Sequence, residues 1–189
     1  MLLLQEKIKR CFIFVCFVLF SFTVLAQHTD EHDAFHAHHM LGLVVSHTQI
    51  SQGVGANGNR KWLALPSWGL NYNFKFSPKW AIGLHNDIVV EDFAVEEHLK
   101  SGGGSKTLER SYPIASAVMA SFKPGKHFSY MLGAGGEFAH TGSFFLLRAG
   151  IEYGYHINKS WELNANITND FKINAYNSWA IGLGVTRVF

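Results

Sequence analysis

Between Trp179 and Phe189 large and small side chains alternate. Trp179, Ile181, Leu183, Val185 and Phe189 fall on one side of an extended strand. Ala180, Gly182, Gly184, Thr186 and Val188 fall on the other, because successive strand side chains point to opposite faces. The same spacing recurs upstream. Tyr112 and Phe122, Phe128 and Phe138, Phe145 and Tyr155, and Trp161 and Phe171 are aromatic pairs ten residues apart. Ten residues at about 3.3 Å each make about 33 Å. Tilted by about 40°, such a strand rises about 25 Å, the height of the apolar band on a membrane barrel.

The alternation predicts eight strands, over residues 40–48, 62–76, 80–93, 109–122, 128–138, 144–157, 161–171 and 179–189. Their connections alternate between loops and tight turns. Residues 49–61 and 94–108 are Gly-rich loops, the second carrying Gly102, Gly103 and Gly104. Ser77-Pro78-Lys79, residues 123–126 and Asn158-Lys159-Ser160 are turns. The connections at 139–143 and through Tyr176 are loops. An even number of antiparallel neighbours joined this way can close on itself. The fold expected is all-β, an eight-stranded antiparallel up-and-down transmembrane β-barrel. In the hairpin of strands five and six, the expected register opposes Phe138 to Phe145 and sets Glu137 diagonal to Arg148.

Two orientations fit the alternation, and the composition of the second face chooses between them. A soluble lipocalin-like carrier would hold the bulky face inside. The second face, however, carries Gly42, Gly69, Gly83, Gly133, Gly135, Gly150, Gly154, Gly182 and Gly184. Glycine weakens an exposed strand, but makes room in the crowded interior of a narrow barrel. That face also bears Lys75, His85, Asp87, Glu91, Glu137, Arg148 and Glu152, with Glu162 and Asp170 further on. Both signs are present, so they can pair inside, as buried charges must. The bulky face then turns to outer-membrane lipid. Asn86, Ser116, Asn169 and Arg187 are misfits on it.

The segment before the barrel divides in two. Lys7, Lys9 and Arg10 precede an apolar run over residues 11–25, and Val24-Leu25-Ala26 has the form of a cleavage site. Residues 1–26 therefore read as a secretory signal peptide, cut before Gln27. Both cysteines, Cys11 and Cys16, lie within it, which leaves no disulfide framework for the rest. Removing it takes three basic and one acidic residue from totals of 16 and 14, leaving 13 of each. No basic excess points to nucleic acid.

Residues 27–39 read as a His-rich periplasmic extension. His28, His32 and His36 recur every four residues, followed by His38 and His39, with Asp30, Glu31 and Asp33 among them. Imidazoles with carboxylates suit zinc, copper or nickel, so this segment is a candidate divalent-metal site. It would serve an accessory role in metal uptake or sensing.

The signal peptide, eight strands over residues 40–189 and a terminal Phe189 resemble the small outer-membrane β-barrels of Gram-negative bacteria, the OmpA/OmpX type. The cut between Ala26 and Gln27 is similar in style to barrels of the Bacteroidota. The resemblance implies an outer-membrane location and a C-terminal aromatic, here Phe189, read by the barrel assembly machinery. It implies little about activity. Some such barrels modify lipid A with Ser or His near the outer rim. Candidates would be His47, His98 and His140 with Ser46, Ser51, Ser101 or Ser143, but the deacylase pattern of His, one residue, Ser, Asn is missing, and His140-Thr141-Gly142-Ser143 is wrongly spaced. The function expected is non-enzymatic, structural or surface-binding. No large pore is expected, since eight strands leave an interior that side chains can fill.

Overall fold

The computed structural model describes residues 35–54, 59–97 and 106–189. The signal peptide read at residues 1–26 and the extension up to residue 34 lie outside them. The strands are β1 (His38–Val54), β2 (Arg60–Lys75), β3 (Trp80–Val89), β4 (Phe93–Glu97), β5 (Lys106–Arg110), β6 (Ile114–Phe122), β7 (Phe128–Ala139), β8 (Gly142–Asn158), β9 (Trp161–Lys172) and β10 (Asn177–Val188). Eight of them close into an antiparallel barrel in the order β1-β10-β9-β8-β7-β6-β3-β2, and β4 and β5 form a separate two-stranded sheet. Closure runs from Met40 opposite Val188 to Ile50 opposite Ser178. The turns after β2, β6 and β8 share one end with the start of β1 and the end of β10. The connections after β1, β7 and β9 and the stretch from β3 to β6 share the other, the loop end.

Burial follows the period of two. Along β1, Gly42, Val44, Ser46 and Thr48 are buried while Leu41, Leu43, Val45 and His47 are exposed. The exposed set continues around the wall through Trp68, Leu70, Tyr72, Trp80, Ile82, Leu84, Tyr130, Leu132, Tyr153, Trp161, Ile167, Trp179 and Leu183. A soluble barrel would bury these side chains, so the lipocalin-like alternative is overturned: the bulky face is outside. With no water in the bilayer core, a spanning sheet must pair every backbone group, which closure achieves. Glycine serves the inner face by close approach. A Cβ on Gly182 would stand 2.5 Å from Ser46 Oγ and 2.7 Å from Val44 Cγ1.

Two expectations are corrected, one about β3 through β6 and one about the β7–β8 hairpin. The predicted third strand breaks at Val90–Asp92 and the fourth at Ser111–Pro113, where Tyr112 takes a φ of 42°. Between the breaks, residues 94–108 are no plain loop: Phe93 pairs with Arg110, Val95 with Leu108 and Glu97 with Lys106. The hairpin packs back toward β1, where Gln52 donates its side-chain amide to Ala94 O at 3.1 Å. A second correction concerns register. Phe138 opposes Ser143, not Phe145, which sits opposite Gly136. The cause is a tighter turn. Ala139 already pairs with Gly142, whose φ of 133° is open to glycine, so His140-Thr141 is the whole connection.

Candidate functional site

The barrel interior is organised around a chain of ion pairs. β7 brings Glu137 in near the loop end, and β5 brings Arg110 down onto it. Arg110 is fully buried. Its Nη2 donates to Glu137 Oε1 at 2.6 Å and its Nε at 3.1 Å. Nη1 donates to Gly142 O at 2.8 Å and to Thr141 Oγ1 at 3.4 Å, and the guanidinium lies 4.7 Å from the Phe144 ring centroid. Glu137 also takes the Tyr176 hydroxyl at 2.6 and 2.7 Å and meets Lys172 Nζ at 3.3 Å. Lys172 donates to Ser178 Oγ at 2.7 Å and lies 4.0 Å from Asp170. Arg148 completes the chain. It clasps Asp170 with two bonds of 2.6 and 2.8 Å and reaches across the lumen to Asp87.

Three cations and three carboxylates thus neutralise one another: Arg110, Lys172 and Arg148 against Glu137, Asp170 and Asp87. A bidentate guanidinium–carboxylate clasp is the strongest geometry for such a pair. Burial and the neighbouring Glu137 carboxylate push the Tyr176 phenol, in the connection after β9, well above its usual range. It stays a hydrogen-bond donor. An apolar cluster of Ile50, Leu65, Phe93, Val95, Ala175 and Tyr176 sits on the network. The space left among these groups is about 30 Å³, the room of about one water.

Several expected sites fall differently. Glu137 and Arg148 form no pair with each other, because the shorter turn places Arg148 opposite Gly133 and each charge has nearer partners. Glu91 does not face the interior. It lies exposed in the bend after β3, where the strand has already ended. His85 is buried and meets Asn73 Oδ1 at 3.0 Å. Lys75 and Glu152 line a second cavity at the turn end. Arg110 was invisible to alternation, since β5 stands outside the barrel wall. Lys172 was findable: it is the next inward position of β9 after Asp170.

His38 and His39 are not in a free extension. They open β1, opposite Lys75 and Phe74. His39 stacks on Tyr72, with Nδ1 2.7 Å from its hydroxyl, and His38 Nδ1 lies 3.0 Å from His36 O. His28, Asp30, Glu31, His32 and Asp33 fall outside the described residues, and among those described no three His, Cys, Asp or Glu side chains gather around one point. Of the lipid A candidates, His98 and Ser101 are likewise outside, and His47 and Ser46 take opposite faces of β1.

The outward misfits are settled locally. Ser116 Oγ donates to Asn86 Oδ1 at 2.7 Å, Asn86 Nδ2 to Leu70 O at 3.3 Å, and Asn169 Nδ2 to Ser178 O at 3.1 Å. Arg187 lies over the rings of Trp161 and Phe189, 5.3 Å from each centroid. Phe189 is exposed at the turn end, its backbone N–H bound to His39 O at 2.9 Å.

An apolar, closed antiparallel wall around a neutralised ionic core defines a small transmembrane β-barrel, by fold an outer-membrane protein. No protein-family model matches the chain, and no curated protein matches its sequence. Among solved structures, it is similar to Ail, the attachment invasion locus protein of Yersinia pestis, in complex with the heparin analogue sucrose octasulfate. Identity is 11%, the TM-score is 0.55, and the match covers 82% of this chain and 100% of that one. Neisserial surface protein A matches with 13% identity and a TM-score of 0.45, over 82% and 100% of the two chains. The N-terminal β-barrel domain of Pseudomonas aeruginosa OprF matches with 10% identity and a TM-score of 0.48, over the same shares. At such identities the likeness to Ail is one of fold.

Proposed function

We propose that this chain is a non-enzymatic, non-conducting barrel of the outer membrane whose work is done by what its loop end displays. The observation that carries the reading is the closed interior. The Arg110–Glu137–Lys172–Asp170–Arg148–Asp87 chain and the apolar cluster above it leave about 30 Å³ between them. A solute path would have to break buried ion pairs at several kcal/mol each. The function then falls to the surface: the far part of the β1–β2 hairpin, paired out to Val54 and Arg60, and the β4–β5 hairpin. Both are backbone-paired supports for a structural role or for binding a macromolecule.

The exposed Phe189 supports recognition of the last strand by the barrel assembly machinery. The reading is tested in planar bilayers with a chain beginning at Gln27. Silence, or brief events far below porin size, agrees with it; steady porin-size steps refute it. Swapping the two hairpins for short turns, with the barrel's folding checked by heat-modifiable gel migration, then asks whether binding to surfaces or partners is lost while the barrel stands.

A further inference from the structure

The turn end is built in the opposite way from the sealed loop end. It holds a cavity of about 180 Å³, the room of about six waters. Lys75, Lys79, Lys123 and Lys159 line it, together with only two carboxylates, Glu152 and Glu162. Among the described residues one ion pair joins these groups, Lys123 Nζ to Glu162 Oε1 at 2.8 Å. The interior network is balanced charge for charge; this cavity is not. Lys75 is half-buried, feels the Lys123 ammonium more strongly than the Glu162 carboxylate, and makes no direct ion pair among the described residues. Withdrawing an ammonium from water without a counter-charge is costly.

We propose that this cavity is a binding site for a small oxyanion of the phosphate class. A tetrahedral oxyanion offers several acceptor oxygens, and lysines that line one cavity from separate strands and turns can each donate to one of them. Lys75 comes from β2, Lys79 from the turn before β3, and Lys159 from the turn after β8. Charge excludes the alternative of a metal cation: lysines outnumber the acids, and no three metal-ligating side chains gather here among the described residues. Volume excludes a large ligand. The phosphate could be that of a free solute or of a lipid headgroup at the same end of the barrel. The inference does not depend on what the loop end binds.

The experiment refolds the chain from Gln27 in a phosphate-free detergent and titrates inorganic phosphate, read by calorimetry and by phosphorus NMR. One site with a Kd at or below about 1 mM is expected. Lys75→Gln and, separately, the exposed rim variant Lys159→Gln should each weaken it by about tenfold, the loss of one charge-assisted hydrogen bond. Lys61→Gln, exposed on β2 away from this end, should bind as the parent does. Heat-modifiable migration certifies that each variant is folded, and Lys159→Gln keeps the test alive if Lys75→Gln is not. Adding a short-chain phosphatidylglycerol separates the sources: displacement of phosphate assigns the headgroup, and persistence assigns the free anion. No saturable binding, or binding by both lysine variants equal to that of the parent, would overturn the proposal.

Discussion

Replacing Arg110 with alanine should loosen the loop end without destroying the barrel, and less severely than replacing Glu137. Arg110, itself fully buried, makes four hydrogen bonds and one ring contact. Breaking a buried ion pair costs about 3–5 kcal/mol, mostly through the charge left behind. In Arg110→Ala the orphan is Glu137, which still has Lys172 at 3.3 Å and the Tyr176 hydroxyl at 2.6 Å. That residual company puts the loss near the lower bound, about 3 kcal/mol. Glu137→Ala instead abandons two buried cations and a phenol at once, so its loss should approach about 5 kcal/mol. The double variant should cost clearly less than the two singles together, because they share one interaction. Urea unfolding in lipid vesicles, followed by the fluorescence of the five tryptophans, measures all three, and limited proteolysis reports release of β4–β5. An Arg110→Ala loss equal to or above that of Glu137→Ala, or losses below about 0.5 kcal/mol for both, would refute the reasoning.

Neighbouring positions on β10 should fail for opposite reasons. Leu183, 69% exposed at mid-strand, becomes a charge in lipid on Leu183→Arg, and vesicle unfolding should show a loss of about 2–4 kcal/mol. Gly182→Ala adds only a methyl group. Its Cβ would meet Ser46, Asn166 and Val44 within 2.5–2.7 Å, so a loss of about 1–3 kcal/mol is expected in the same assay; a neutral result would mean the inner face has slack. The metal reading of residues 27–39 predicts that a chain from Gln27 binds zinc more tightly than one lacking residues 27–35. Equal, weak binding by both in a calorimetric titration would end it.

The inward and outward faces were legible because backbone geometry imposes a period of two and the two faces differ in chemistry. Glycine and paired charge fit a lumen; Trp, Tyr, Leu and Ile fit lipid. Glu137, Arg148, Asp87 and Asp170 could be set inside on parity alone, and Lys172 would have followed had the strand been read one residue further. Partners were not legible. Arg148 meets Asp87 across 61 positions of chain, and alternation carries no information about who stands opposite whom across a lumen. Nor does alternation carry register where a single glycine, Gly142, tightens the turn at residues 140–141. Glu91 departs from the expected inner face because nothing in the alternation announces the bend after Val89.

The sequence by itself determined that this chain is a barrel, how many strands close it and which side meets the bilayer, since those follow from local period and side-chain type. Only the tertiary structure decided that the loop end is plugged. Arg110 reaches Glu137 because a hairpin folds back over the mouth, and that contact exists only after closure has made a mouth. The same closure gathers lysines from separate strands and turns at the opposite end, where no stretch of the chain holds them together.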